Sequence, residues 1–476
     1  SFGRDVSGAG DVNGDGVADW IVGAPSRTGP AGSSAGAAFL YQGSANLGGS
    51  MAQAFGGADW SVEGGQAGEE LGWSVSAAGD VNGDGFGDVI VGSPEWNGSL
   101  TDQGMVQVWL GSPAGLATAS GWDTESNAAN AELGAAVASA GDVNGDGYQD
   151  VLVGVPNYSG AGVSGGGRAL LFHGGATGVG VIASTTINGT LADELLGSAV
   201  AGLGDVNGDG YADVAVGSPE YNDDGRVRIY HGGGSGADAI ADATLDGGAD
   251  ALFGTSVAGP GDVNRDGYAD LLVGAPGMSS TQAGQGFAEL LRGAASQMVT
   301  VGAYWVGDSP YDAVGSVLGS AGDLDGDGRD DLVVAGTGYP AGGAAGAAWL
   351  YMGQPRWPGA QVELEDADHL LTGASDGERA GAAIAGDEDF DGDGYDDLVI
   401  AAPGGSGTAG AIYLWRGDAS WGDTGRYGSV ASSDATFIGE VRGDEAGASV
   451  ALLEDFDGDG EADLAVGAPG HGDTDA

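Results

Sequence analysis

One nine-residue pattern, D-x-[D/N]-x-D-G-x-x-D, occurs eight times, starting at Asp11, Asp80, Asp142, Asp205, Asp262, Asp323, Asp389 and Asp455. Asp at positions 1, 5 and 9, with Asp or Asn at 3, places four side-chain oxygens on one tight loop. The carbonyl of position 7 can add a fifth, and Gly at position 6 permits the bend that gathers them. The first loop offers Asp11, Asn13, Asp15, Asp19 and the carbonyl of Val17. The second offers Asp80, Asn82, Asp84, Phe86 and Asp88, the third Asp142, Asn144, Asp146, Tyr148 and Asp150. The fourth offers Asp205, Asn207, Asp209, Tyr211 and Asp213, the fifth Asp262, Asn264, Asp266, Tyr268 and Asp270. In loops six to eight position 3 is also Asp: Asp323, Asp325, Asp327, Arg329 and Asp331; Asp389, Asp391, Asp393, Tyr395 and Asp397; Asp455, Asp457, Asp459, Glu461 and Asp463. These are hard oxygen donors, which select calcium or magnesium over zinc or copper. Calcium is favoured because its larger, more flexible shell suits many protein oxygens, whereas magnesium keeps several waters.

An EF-hand is the obvious rival, and position 12 decides against it. An EF-hand needs a bidentate Glu there. Here the residues are Val22, Val91, Val153, Val216, Val273, Val334, Ile400 and Val466. All are β-branched and apolar, so each loop leads into a buried strand and the site lies between two strands. A solvated Asp-Gly turn explains one copy well, but not eight copies in one ligand register. The eight sets hold 27 of the 69 acidic residues, and eight calcium ions would bring the formal charge from −56 to −40. Without metal, like charges a few ångströms apart repel by ~1 kcal/mol per pair in water and more near protein. Calcium, up to eight ions, is therefore expected to be needed for folding.

The elements that position these loops repeat with them. Loop starts are 57 to 69 residues apart, a period that points to a repeat architecture. Ahead of each loop stands an apolar-Gly pair (Phe2-Gly3, Leu71-Gly72, Leu133-Gly134, Leu196-Gly197, Phe253-Gly254, Val314-Gly315, and the weaker Ala380-Gly381 and Ala446-Gly447) and then a small-residue strand. After each loop a β-branched run ends in Gly-x-Pro or a variant, as at Gly23-Ala24-Pro25. A third segment reads Gly-x-x-x-apolar-aromatic-x-Gly, as from Gly36 to Gly43. A looser fourth holds Trp60, Trp122, Thr186, Thr244, Trp305, Val362 and Thr436. Four short strands per unit, without helical periodicity, predict an all-β fold, a β-propeller of four-stranded blades. The Trp set reads as core between blades. The single propeller domain, 1–476, divides into units 2–70, 71–132, 133–195, 196–252, 253–313, 314–379, 380–445 and a partial 446–476. Seven complete blades and a half-blade leave a seven- or eight-bladed ring open. Two strands alone are marginal, so the half-blade is expected to fill an eighth sector or to be completed by strands from another chain.

Composition excludes much else. The chain of 476 residues has 13 basic residues, all arginine, and no cysteine. Nucleic-acid binding is disfavoured for want of cations, and Schiff-base, thiol and disulfide chemistry are out. Apolar content of 42% is too high for a disordered acidic chain. No apolar run is long enough to span a membrane. The chain opens Ser-Phe-Gly-Arg, without a signal peptide or initiator Met, as a processed chain would. His173 and His231 read as tolerated surface positions, Arg226 and Arg228 as members of local ion pairs, and the acidic turns Glu69-Glu70, Asp193-Glu194 and Asp444-Glu445 as solvated loop ends. No nucleophile-elbow or zinc-helix motif appears, so no enzyme activity is expected.

The combination of Phe-Gly, the Asp-rich loop and Gly-Ala-Pro, literal at Gly23-Ala24-Pro25, Gly274-Ala275-Pro276 and Gly467-Ala468-Pro469, resembles the FG-GAP repeat of integrin α-subunit propellers and their bacterial relatives. The resemblance covers essentially the whole chain. It implies a calcium-stabilised propeller, usually seven-bladed, with loops on one face between strands one and two, and extracellular adhesion or structural work. It carries the ligand role to Asp11, Asn13, Asp15 and Asp19 and to their counterparts in the other loops. Integrin-like propellers fill only some blades, whereas all eight loops here look competent. The expected function is that of a secreted or cell-surface, calcium-rigidified structural protein that binds protein partners or itself, as a filament or tube joined through the half-blade. A carbohydrate-binding propeller is the alternative, and an enzyme with a central-channel site a third.

Overall fold

The computed structural model describes all residues except 1, 44–56, 161, 249, 296–299, 341–342, 405–408, 423–425, 454, 458, 460 and 472–476. Each unit forms an antiparallel sheet in chain order. In blade 1 the strands are Asp5–Gly10, Asp19–Gly23, Ala37–Tyr41 and Trp60–Glu63. Among the described residues seven sheets hold these four strands, and an eighth sheet has two, Ser449–Leu453 and Asp463–Gly467. The first strands pack against one another around the ring, which is why they are built from Gly, Ala and Ser. The second strands are β-branched and fully buried in blades 1 to 7, as the apolar runs after the loops require.

The core is divided into one apolar cluster per blade interface. Ile21, Leu40, Val89 and Trp109 join blades 1 and 2, for example, and Leu290, Trp305, Leu332 and Trp349 join blades 5 and 6. Trp60, Trp122 and Trp305 sit in these clusters: Trp60 lies edge-on to Trp109 at 5.2 Å, and Trp122 to Phe172 at 4.8 Å. Two clusters settle the half-blade. Val399, Ile412 and Val450 bind it to blade 7, and Trp20, Tyr41, Leu453, Phe456 and Ala465 bind it to blade 1. Ser449 Oγ donates to the Gly3 carbonyl at 3.0 Å across this seam. Among the described residues the ring therefore has eight sectors, seven complete and one two-stranded.

Blade 6 corrects the fourth-strand assignment. Its fourth strand is His369–Thr372, not the segment around Val362. Ala360–Gln361 instead adds to blade 5 as a parallel fifth strand, with Val362 N–H donating to the Tyr304 carbonyl at 2.9 Å. Blade 6 gains a fifth strand in the same way from Arg426–Ser429. The sequence distance misleads because the third-to-fourth connection is long enough to visit the neighbouring blade's edge. Such added strands cover otherwise open strand edges.

Candidate metal centres

Each loop lies at the turn between strands one and two. A register shift marks the end of most first strands, in blade 2 between Ala77 and Gly79. The left-handed Gly79 (φ 71°) makes this a bulge that turns the chain into the loop. In that loop Asp80 Oδ1 accepts the Gly83 N–H at 2.6 Å and the Asp84 N–H at 3.1 Å, and Oδ2 accepts the Gly85 N–H at 2.8 Å. Asn82 Oδ1 accepts the Asp84 N–H at 2.9 Å, and Asp84 Oδ1 the Phe86 N–H at 3.1 Å. These short-range bonds fix the side chains at positions 1, 3 and 5 on one side of the loop. The position 5 to position 1 bond recurs in all eight loops.

Position 9 is different in kind. Asp19, Asp88, Asp150, Asp213, Asp270, Asp331 and Asp397 are buried. In blade 2 Asp88 accepts the Val81 N–H at 2.9 Å with one oxygen and the Gly111 N–H, at the end of strand three, at 2.8 Å with the other. The same pair of bonds recurs in blades 1 to 7. In the two-stranded sector Asp463 accepts the Phe456 and Asp457 N–H groups instead. Burial pushes Asp19, Asp88, Asp150 and Asp270 up to about 7 and Asp331 up to about 8, with the backbone donors opposing and neighbouring loop carboxylates adding to the rise. Asp213 and Asp397 rise to about 6 for the same leading reason. A buried carboxylate beside two or three others is what a cation would relieve.

Carboxylate oxygens of Asp323, Asp325 and Asp327, of Asp389, Asp391 and Asp397, and of Asp455, Asp457 and Asp463 lie within 4.8 Å of one another. In loops one to five Asn stands at position 3 in place of a carboxylate, and its side-chain carbonyl is an oxygen donor of the same hard kind. The donor set thus fits a hard divalent cation. Arginine already meets part of the charge in two of the Asp-rich loops: Arg329 pairs with Asp327, and Arg416 with Asp391 at 3.0 Å.

Neighbouring loops touch, which the pattern alone did not reveal. The side chain at position 7 packs on the glycine at position 4 of the preceding loop. A methyl on Gly83 would lie 2.6 Å from Tyr148 Cε1, and Gly14, Gly145, Gly208 and Gly326 meet Phe86, Tyr211, Tyr268 and Tyr395 in the same way. The N–H at position 8 also donates to the carbonyl at position 1 of the preceding loop, as Gly87 to Asp11 at 2.8 Å and Ala18 to Asp455 at 3.3 Å. The glycine at position 4 and the recurrent aromatic at position 7 were the available signals.

Arg226 pairs with Asp246 and Arg228 with Glu194, both as ion pairs. His173 and His231 are half-buried, His231 lying 3.8 Å from Asp242. The acidic turns are not simply solvated: Glu69, Glu194 and Asp444 are buried. Each accepts backbone N–H groups of its own turn, from Gln66 at 3.0 Å, from Thr190 and Leu191 at 2.8 and 2.9 Å, and from Val441 at 2.6 Å. A tight turn leaves such donors without ladder partners, and the carboxylate supplies one. On the face opposite the loops, a cleft of about 460 Å³ is lined by Arg4, Trp73, Arg379 and Glu445, among others. The Arg4 guanidinium stacks 3.7 Å over the Trp73 ring.

The model of the family described as "FG-GAP repeat" matches residues 71–109, 133–172, 196–230, 253–288, 380–415 and 446–476. Among curated proteins, the chain is 36% identical over 221 residues to integrin alpha-V of Gallus gallus, covering 44% of this chain and 20% of the relative. It is 38% identical over 133 residues to integrin alpha-6 of Homo sapiens, covering 28% of this chain and 12% of the relative. The chain therefore spans a fifth or less of the length of these relatives. Among solved structures, the Dos1 propeller superposes with a TM-score of 0.46 at 12% identity, covering 86% of this chain and 80% of that one. The Chaetomium thermophilum Sqt1 structure also gives 0.46, at 13% identity, covering 98% and 95%.

Proposed function

Because this chain is a propeller of FG-GAP repeats related to integrin α-subunits, we propose that it is a calcium-rigidified structural and adhesion module that works outside the cell. The observation that carries the reading is the recurrence, in eight loops, of one acidic register that ends in a position 9 aspartate, buried in blades 1 to 7, with the carboxylates of loops six to eight gathered into clusters. Loops built only of oxygen donors and open to solvent suit calcium at the concentrations found outside cells. Calcium titrated into chelator-stripped protein, followed by metal analysis of the desalted complex, tests it. Several ions per chain and a melting point that rises with calcium are expected. A chain that takes up no calcium at millimolar concentration, or melts identically in EGTA, ends the reading.

The partners proposed are proteins, including further copies of this chain. The second strand of the eighth sector, Asp463–Gly467, is only partly buried, whereas its counterparts in blades 1 to 7 are fully buried. Among the described residues no third strand pairs with it. A strand edge with apolar side chains on it is a template for a partner strand. Sedimentation with and without calcium tests self-association; a compact monomer in both conditions counts against it.

A further inference from the structure

The junction between loops five and six breaks the pattern that joins the others. Position 4 is glycine in seven of the eight loops and Arg265 in loop five. Position 7 of loop six, where its neighbours carry an aromatic ring, is Arg329. Position 8 N–H groups donate to the preceding position 1 carbonyl at seven junctions: Gly87 to Asp11, Gln149 to Asp80, Ala212 to Asp142, Ala269 to Asp205, Asp396 to Asp323, Ala462 to Asp389 and Ala18 to Asp455. Between loops five and six, side chains make the link instead. Asp330 Oδ2 accepts the Asp262 N–H at 2.7 Å, as Asp396 Oδ2 accepts the Asp323 N–H between loops six and seven. Arg265 Nη1 reaches forward and donates to the Asp327 carbonyl at 3.0 Å. The guanidinium lies so close over Gly328 that a methyl there would stand 2.0 Å from Nη1.

Arg265 occupies this place against its backbone preference. Its φ is 57°, a left-handed conformation that suits glycine and strains an arginine. The gain is a positive charge delivered to a loop with four aspartates, Asp323, Asp325, Asp327 and Asp331. Arg329 already pairs with one of them, Asp327. Loop eight has five acidic residues, Asp455, Asp457, Asp459, Glu461 and Asp463, with neither arginine at the equivalent positions.

We propose that Arg265 is a tethered cation that locks loop five to loop six without metal and weakens divalent binding in loop six. The inference rests on the reading of the loops as calcium sites. Arg265 is exposed, and a fixed unit charge roughly 6 Å from a divalent ion, at the dielectric of water, changes affinity on the order of tenfold. Loop six is thus the weakest of the three Asp-rich sites, and the five–six junction the part of the ring least dependent on calcium.

The test uses calcium chloride alone, titrated calorimetrically into the chelator-stripped whole chain. Arg265→Gln removes the charge and the Nη1 contact but keeps the backbone strain; Arg265→Gly restores the residue of the other loops and relieves the strain. Each is expected to tighten one ion by about tenfold, and Arg265→Gln, which keeps the strain, to lower the melting point in EDTA. Asp323→Asn, which disables loop six, should abolish the tightening when combined with Arg265→Gln. Unchanged affinities in both variants, or equal tightening in the Asp323→Asn background, overturn the proposal. A melting point in EDTA that Arg265→Gln leaves unmoved also overturns the lock. A wild-type chain that binds no calcium is a separate outcome, which sinks the reading beneath it.

Discussion

Position 9 and position 5 of the same loop should fail in opposite conditions, and blade 2 offers the cleanest comparison. Asp88 is fully buried, and its two oxygens accept the Val81 and Gly111 N–H groups. In Asp88→Asn one of those oxygens becomes an amino group facing a backbone donor. A buried N–H without an acceptor costs about 1–3 kcal/mol whether or not calcium is present. Unfolding entropy of about 2.1 cal/mol/K per residue gives roughly 1 kcal/mol/K for a chain of this length, so the melting point in EGTA should fall by about 1–3 °C. Asp84 is exposed and accepts only local bonds, from Phe86 N–H and Asn82 Nδ2. Asp84→Asn should leave the EGTA melting point within about 1 °C of wild type, since exposed substitutions away from such features are nearly neutral. In calcium both variants should melt lower than wild type and bind one ion fewer. Differential scanning calorimetry in EGTA and in calcium reads all four values. Equal losses in EGTA, or an Asp88→Asn defect confined to calcium, would refute the view that position 9 is a structural acceptor as well as a ligand.

Three further outcomes follow from particular contacts. Burial lifts Glu289 to about 7 from an ordinary 4.5, so its ionised form opposes folding above that pH and the penalty fades as pH falls through this window. Glu289→Leu should therefore raise the melting point at pH 8, by at most about 3 kcal/mol of stability, and leave it unchanged at pH 4; Leu170 holds the same register opposite Val153 in blade 3 that Glu289 holds opposite Val273. Arg228→Met leaves the Glu194 carboxylate buried without its partner and should cost about 3–5 kcal/mol in chemical denaturation, with Glu194→Gln in the same chain restoring most of it. Gly83→Ala combines a left-handed backbone with a clash against Tyr148; about 1–3 kcal/mol should be lost, and Tyr148→Ala should relieve the clash but not the strain.

Much of this was legible because a repeat shows the same constraint many times. A buried position 9 needs an acid that can accept two N–H groups, position 6 needs a left-handed residue, and position 12 needs a buried β-branched side chain. Eight copies make such rules visible in one chain. Contacts between units were not legible, because each depends on two residues some 60 positions apart. The Tyr148 ring and Gly83 each look ordinary alone, and only the ring closure brings them together. Val362 misled for a related reason: an apolar residue at the right distance can pair within its own blade or with the edge of the next. Glu69, Glu194 and Asp444 read as solvent-facing because acids in turns usually are. Burial by the adjoining turn, and the backbone donors that accompany it, are tertiary facts.

The inter-loop bonds change what a metal ion would do. An ion in loop three would hold Asp142, Asn144, Asp146 and Asp150 together, but its influence would not stop there. Asp150 also anchors the Gly174 N–H at the end of the third strand, at 2.9 Å. The Ala212 N–H of loop four donates to the Asp142 carbonyl at 3.1 Å, and the Tyr211 ring rests on Gly145. Loosening one loop therefore withdraws support from the next. Stability in a stack of repeats is a sum of unit and interface terms, and here the Asp-rich loops contribute to both. Calcium should act cooperatively around the ring, except where Arg265 supplies the link without it.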